Sequence, residues 1–318
     1  MFFENVKKSR LLIEQHFHGA YGVDFACCDE KEVLELSKIL LKHGIGGFFP
    51  TLATDSIKNI KKQIKIFKSA SEHQTSDMAK ILGVHLEGIF LNPEKKGIHD
   101  ETQFLKLSVT NFKKIEDNFI KIVTLAPELD KNFRLTKYLK SKGIKVQAGH
   151  CVGGDLTECD GTTHTFNAMS PISHRGKSTA LSALINDNLY TEIIADGIHL
   201  SDDIINLILK IKPENKIILV SDCLPITKSK HKEMKFCNKT IFYDGKKATD
   251  KNGTLAGSTT LLDSIIKRLL DNNINALKFI ENVYNYHNIE IEGAVWWNDK
   301  NQIIAVEKDN QVLYKEKR

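Results

Sequence analysis

Eight short, apolar, β-prone runs recur along this chain of 318 residues, and helical patterns separate most of them. The runs are Leu12 to His18, Ile45 to Pro50, Ile81 to Glu87, Ile120 to Ala126, Ile144 to His150, Thr162 to Phe166, Thr191 to Asp196 and Ile217 to Asp222. Between them apolar residues recur at helical spacing over Glu30 to Lys42, Ser56 to Ala70, Asn132 to Lys142, Thr179 to Asp187 and Asp202 to Lys210. Strands that alternate with helices build a parallel sheet, and eight of them suggest closure into a (β/α)8 TIM-like barrel. A doubly wound open sheet competes, but no Gly-rich phosphate loop follows the first run.

The pattern changes after the eighth run. Phe236 to Ser258 carries two hairpin signals, Asp244-Gly245 and Asn252-Gly253, and reads as a β-ribbon inserted after strand eight. Helices are expected at Thr260 to Asp271 and Ala276 to Tyr286, then short strands around Val295 to Trp297, Ile303 to Glu307 and Val312 to Tyr314. The expected division is an N-terminal segment over 1–9, a barrel over 10–287 and a short β-rich tail over 288–318.

Composition removes several function classes. The net charge of +5, from 45 Lys and Arg against 40 Asp and Glu, is spread along the chain and argues against a nucleic-acid partner. Lys58 to Lys68 carries Ile57, Ile60, Ile64 and Phe67 at helical spacing, the pattern of a solvated helix face. No apolar run approaches the roughly 20 residues that span a bilayer, and no secretory leader pattern opens the sequence. The six cysteines show no C-x-x-C spacing, so neither a disulfide framework nor a cysteine zinc site is expected. A cytoplasmic location without a membrane partner is the expectation.

Polar residues of metal-binding type end the runs. His16 and His18 close the first, Glu87 the third, His150 the fifth, His164 the sixth and Asp222 the eighth, while Asp196 closes the seventh with His199 just beyond. A barrel of this kind gathers its active site at the C-terminal ends of its strands, so these side chains should share one rim. One carboxylate with two neutral imidazoles suits zinc or a similar divalent ion and leaves a position for water. Asp222, on the rim without being required as a ligand, is the natural general base and acid.

At these residues the chain resembles the N-acetylglucosamine-6-phosphate deacetylases of the amidohydrolase superfamily. The matches run in order: HFHG at 16–19, PTLAT at 50–54, HLEGIFLNPEKKGIH at 85–99, TLAPE at 124–128, AGH at 148–150, THTFNAM at 163–169, IIADGIHL at 193–200, VSD at 220–222 and NGTLAGS at 252–258. The resemblance implies that Glu87, His150 and His164 hold one divalent ion, zinc, and that His16 and His18 hold a second in some members. It implies that Asp222 is the catalytic aspartate and that His99, Asn167, Ala168, Arg175, His199, Leu255, Ala256 and Gly257 contact substrate. His199 would also stabilise the charge that develops on the acetyl oxygen. A homo-oligomer, a dimer, is implied, with Arg175 reaching the sugar phosphate of the neighbouring subunit as a bidentate fork.

The chain departs from that pattern in four places, one of them an abbreviated tail. About 15 residues precede the first histidine, so the accessory β-sandwich is expected to be reduced or absent. The step from His150 to His164 is 14 residues, which suggests a lost helix between strands five and six. The segment Cys223 to Lys228 replaces a small Gly-containing loop after Asp222. The leading expectation is hydrolysis of N-acetylglucosamine 6-phosphate to glucosamine 6-phosphate and acetate. The alternatives are deacetylation of N-acetylgalactosamine 6-phosphate and a non-catalytic sugar-phosphate-binding protein.

Overall fold

The computed structural model describes residues 6–315; residues 1–5 of the expected N-terminal segment and 316–318 of the tail lie outside the described residues. The eight barrel strands are Leu12–Phe17, Ile45–Ala53, Val84–Glu87, Ile120–Leu125, Lys145–Ala148, Gly161–Thr162, Tyr190–Ile193 and Ile217–Leu219. Each lies parallel to the next, and their order in the sheet is their order in the chain. Closure comes at the C-terminal mouth, where Asp222 N donates to His16 O and His18 N donates to Cys223 O, both at 2.8 Å. Ser221 N also donates to the buried Glu14 carboxylate at 3.1 Å, so the first and eighth strands form the seam.

Helices surround the sheet with their apolar stripes inward. Glu30–Lys42 begins on a reciprocal cap in which Asp29 accepts from Glu32 N and Glu32 accepts from Asp29 N. Ile57–Glu72 starts from an Ser56 cap and buries Ile60, Ile64 and Phe67, leaving its lysines outside as their spacing implied. No helix occupies residues 149–160 between strands five and six, in line with the short step from His150 to His164. Among the described residues, no helix is long and apolar enough to cross a membrane.

Several strands stop earlier than their apolar runs suggest. The sixth, expected to reach Phe166, ends at Thr162, because the backbone turns left-handed at His164 (φ 31°), Phe166 (φ 79°) and Ala168 (φ 48°). The third run splits in two at Gly83, whose φ of 141° separates Lys80–Ile81 from Val84–Glu87. In both cases tertiary contacts override residue preference for the extended state.

Two four-stranded antiparallel sheets flank the barrel. The insertion forms four strands, Glu233–Phe236, Lys239–Tyr243, Ala248–Asp250 and Leu255–Gly257. Its first hairpin turns through Cys237 (φ 49°) and Asn238 (φ 61°), a left-handed pair that no Gly announces. The second sheet places Lys7–Ser9 against Gly293–Trp297, followed by Ile303–Lys308 and Gln311–Lys315. It buries Val295, Trp297 and Val306, and Trp297 Nε1 donates to Ser9 Oγ at 3.0 Å. A four-stranded accessory sheet is therefore present, and residues of the expected N-terminal segment and tail meet in it.

Candidate active site

The strand ends converge as their positions predict. Glu87, ending the third strand, stands at the centre of the barrel mouth. Its Oε1 lies 2.9 Å from His164 Nε2 and 3.3 Å from His150 Nε2. Its Oε2 lies 3.1 Å from His18 Nε2 and 3.3 Å from His16 Nε2. Asp222 Oδ1 closes the second side at 3.3 Å from His18 Nε2 and 3.4 Å from His16 Nε2. Two donor groups result, Glu87 with His150 and His164, and Glu87 with His16, His18 and Asp222, and all six residues are buried.

The geometry of these donors fits divalent ions. His150 and His164 bring their Nε2 atoms to 3.1 Å while both aim at Glu87 Oε1, an approach that two lone pairs resist unless a proton or cation lies between them. His16 Nε2 is buried without a hydrogen-bond partner. The opposite ring nitrogens are occupied by acceptors: His150 Nδ1 donates to Lys95 O at 2.7 Å, His18 Nδ1 to Thr51 O at 3.2 Å and His16 Nδ1 to Glu192 Oε2 at 3.0 Å. Each bond puts the proton on Nδ1 and leaves the Nε2 lone pair facing the mouth, the tautomer a metal ligand needs.

Electrostatics point the same way. Burial alone would push the Glu87 carboxyl up, yet the His16 charge and bonds from His150 and His16 hold it well below the usual carboxylate range. Asp222 is likewise lowered against its burial, chiefly by His16 and His18. Burial pushes His18 down, but Asp222 and Glu87 outweigh it and raise the imidazole to about 9. The two carboxylates thus demand positive charge at this point, and protons or divalent cations both answer that demand.

His99 is turned the other way. Thr54 N donates to its Nδ1 at 3.3 Å and the Thr54 hydroxyl lies 2.9 Å from the same atom, so the proton sits on Nε2. Burial and the neighbouring His150 keep the ring neutral, its pKa well below the ordinary value. It offers a neutral donor to the cavity, with Nε2 3.8 Å from Glu87 Oε2. Gly88 makes the support of this ring possible: a Cβ there would lie 2.5 Å from Thr54 N. We expect Gly88→Ala to destabilise the fold by about 1–3 kcal/mol in denaturant unfolding, because backbone must yield.

His199 opposes this group across the mouth. Asp196 accepts from His199 Nδ1 at 2.8 Å and from the backbone N of Ile198 and His199 at 2.9 Å. Burial lowers the His199 pKa, the Asp196 bond and charge overcome it, and the net shift is upward.

A cavity of about 490 Å³ lies over these residues. Its walls include His99, Asn167, Ala168, His199 and the Leu255-Ala256-Gly257 segment, all expected as substrate contacts. His16 lies below the floor, fully buried. Arg175 is the expected contact that this cavity does not include; it sits exposed on the loop after strand six. Lys95 and Phe236 also line the wall, and motif reading did not single them out.

Comparison with known proteins follows this geometry. No profile of a known protein family matches the chain. N-acetylglucosamine-6-phosphate deacetylase from Bacillus subtilis is 33% identical over 260 residues, covering 78% of this chain and 65% of that protein. The Rattus norvegicus protein of the same name is 31% identical over 284 residues, covering 81% of this chain and 68% of its own length. This chain belongs to the N-acetylglucosamine-6-phosphate deacetylase family. It spans about two thirds of the length of the relatives it matches.

Solved structures support the fold of that family. A crystal structure of N-acetylglucosamine-6-phosphate deacetylase from Thermotoga maritima superposes with a TM-score of 0.88 at 24% identity, covering 97% of this chain and 89% of that one. A mutant deacetylase from Mycobacterium smegmatis in complex with N-acetyl-D-glucosamine-6-phosphate gives 0.89 at 18% identity, with 98% and 87% covered. The barrel fold is thus shared, together with an accessory sheet.

Below the donor groups lies a polar layer whose role no motif marks. Glu192 binds His16, Gln15 and the His164 backbone, while His85 is held by Gln15 O at 3.0 Å and Thr124 Oγ1 at 2.8 Å. Burial pushes His85 down to about 3, so it is a neutral packing element, whereas His16 holds Glu192 at about 2 against its burial. The signal available was a charged residue inside an apolar strand run, Thr191 to Ile194. A charge there is rare without a partner.

Proposed function

We propose that this chain hydrolyses the acetamide of N-acetylglucosamine 6-phosphate, giving glucosamine 6-phosphate and acetate. The observation that carries the proposal is the convergence of Glu87, Asp222 and the imidazoles of His18, His150 and His164 at the floor of one cavity, with His16 Nε2 directed at them from beneath. Glu87, His150 and His164 are the proposed ligands of one divalent ion, with His16, His18 and Asp222 available to a second. Zinc is the proposed metal, since one carboxylate and two imidazoles, with a position left for water, suit it. When bound, such an ion polarises the acyl oxygen and lowers the pKa of a water.

The chain's own residues supply the remaining chemistry. Asp222, ionised despite burial, accepts a proton from the attacking water and returns it to the amide nitrogen, which leaves as an amine. The C–O bond to the water oxygen forms first, and the C–N bond breaks once the nitrogen has received the proton from Asp222, so acetate carries the water oxygen. His199, with Nδ1 fixed on Asp196, offers Nε2–H to the acyl oxygen as it gains charge. His99 offers its Nε2–H to the sugar, and Asn167, whose amide N donates to His164 O at 3.2 Å, keeps its carbonyl oxygen to accept from a hydroxyl.

The test is acetate release from N-acetylglucosamine 6-phosphate by protein as purified, chelated and reloaded with zinc. Release that stops on chelation and returns with metal supports the reading; no release with any divalent metal sinks it. N-acetylgalactosamine 6-phosphate belongs in the same assay, because the corresponding Escherichia coli O157:H7 deacetylase is a relative at 25% identity.

Arg175, exposed and outside its own chain's cavity, is proposed to reach the substrate phosphate in a second copy within a dimer. Arg175→Ala should raise KM for the phosphorylated sugar roughly 10- to 100-fold, the range for losing a hydrogen bond to a charged group, and leave the unphosphorylated analogue nearly unchanged. Equal effects on both substrates, or a fully active monomer, would remove this role. All six cysteines are free thiols, which fits the proposed cytoplasmic location.

A further inference from the structure

Of the four imidazoles in the two donor groups, His16 alone donates from Nδ1 to a carboxylate. His18 and His150 use backbone carbonyls, and His164 Nδ1 is buried without a hydrogen-bond partner. The carboxylate belongs to Glu192 on the seventh strand, 1% exposed and tied on both oxygens. Oε1 accepts from Gln15 Nε2 at 2.5 Å. Oε2 accepts twice, from His16 Nδ1 at 3.0 Å and from the His164 backbone N at 3.1 Å. One oxygen atom therefore touches a member of each donor group beneath Glu87.

We propose that Glu192 is a positioning residue that makes the His16, His18, Asp222 and Glu87 group a working second divalent-ion site and holds it in register with the first. The inference rests on the metal-dependent reading above. Its two contacts act differently. The His16 bond is made by the ring, so it fixes the tautomer and raises the donor strength of the very nitrogen that faces the mouth. The His164 bond is made by the peptide, so it fixes where that residue's left-handed turn places the ring without altering the ring's basicity. Gln15 in turn is held by His287 Nε2 at 2.9 Å, which anchors the carboxylate to the helix Ile280–His287. Glu192, Gln15 and His287 do not line the cavity, so Glu192 acts on substrate only through the donors it holds.

Cobalt(II) is a suitable probe, because its visible absorption reports ligand number without any turnover. Chelated protein titrated with Co²⁺ should show two classes of site. Glu192→Gln, which keeps shape and an acceptor oxygen but removes the charge, should weaken one class about 10- to 100-fold, the usual cost of losing an outer partner of a metal-bound histidine. The other class should stay within a few-fold. His16→Ala should abolish the same class, and adding Glu192→Gln to His16→Ala should then leave the surviving class as it is in His16→Ala alone. Equal weakening of both classes, or no change in either, overturns the positioning role. A chain that binds no Co²⁺ at all would instead overturn the metal reading itself. Far-UV circular dichroism and thermal unfolding of the metal-free variants separate these outcomes from misfolding, and Gln15→Glu, which sets a second carboxylate against Glu192, gives an independent perturbation expected to weaken the same class.

Discussion

Asp222→Asn should lower kcat by about 10²- to 10⁴-fold, the usual range for general acid–base catalysis, while the ion proposed at Glu87, His150 and His164 stays bound. The amide keeps the size of the carboxyl and its place at the seam, where the backbone N still donates to His16 O. What it loses is the capacity to take and return a proton. Asp222 Oδ1 lies within 3.4 Å of both His16 and His18 Nε2, so a second ion on that side should be weakened as well. Measuring kcat and metal stoichiometry on the same preparations separates the two effects. Wild-type turnover would end the catalytic assignment. Loss of the first ion would show that Asp222 supports both groups.

His150→Ala and His164→Ala should each strip the first ion almost completely. Three donors at this spacing define the group, and removing one leaves two, of which Glu87 is shared with the other side. Each alanine also leaves Glu87 Oε1 without one of its two close imidazole partners, so the carboxylate is less compensated in a buried setting. Metal analysis after extensive dialysis is the readout. Full occupancy in both variants would mean that the ion lies elsewhere.

The fold was legible because barrel strands buried on both faces read as continuous apolar runs, and because the ends of those runs carry His, Glu and Asp. That placement singled out Glu87, His150, His164, His16, His18 and Asp222, which the fold brings together, and the motifs around them lie along the cavity walls. Strand ends were less legible. His150, His164 and Asp222 all adopt positive φ (48°, 31° and 49°), so the chain leaves the sheet at the residues that face the mouth. Neither histidine nor aspartate signals such a turn as Gly does, and the strain is the kind that surrounding contacts impose at functional sites. Glu192 was missed for another reason. Its importance lies in what it touches across the barrel, and partners on distant strands leave no mark in local spacing.

The seam has a consequence for biosynthesis. Glu14 and the Ser221 backbone that it binds are 207 residues apart in sequence, and His16 meets Asp222 only after strand eight has docked on strand one. A growing chain that has released seven strands therefore owns one donor group, Glu87 with His150 and His164, but not the other. The last strand completes the barrel and the second donor group in one event. Metal availability then acts on the finished ring more than on any partial one, because an ion that binds only the closed form shifts the folding equilibrium by mass action. In a metal-starved cell, molecules with an open seam would persist longer, exposing the edges of strands one and eight to proteases and to each other.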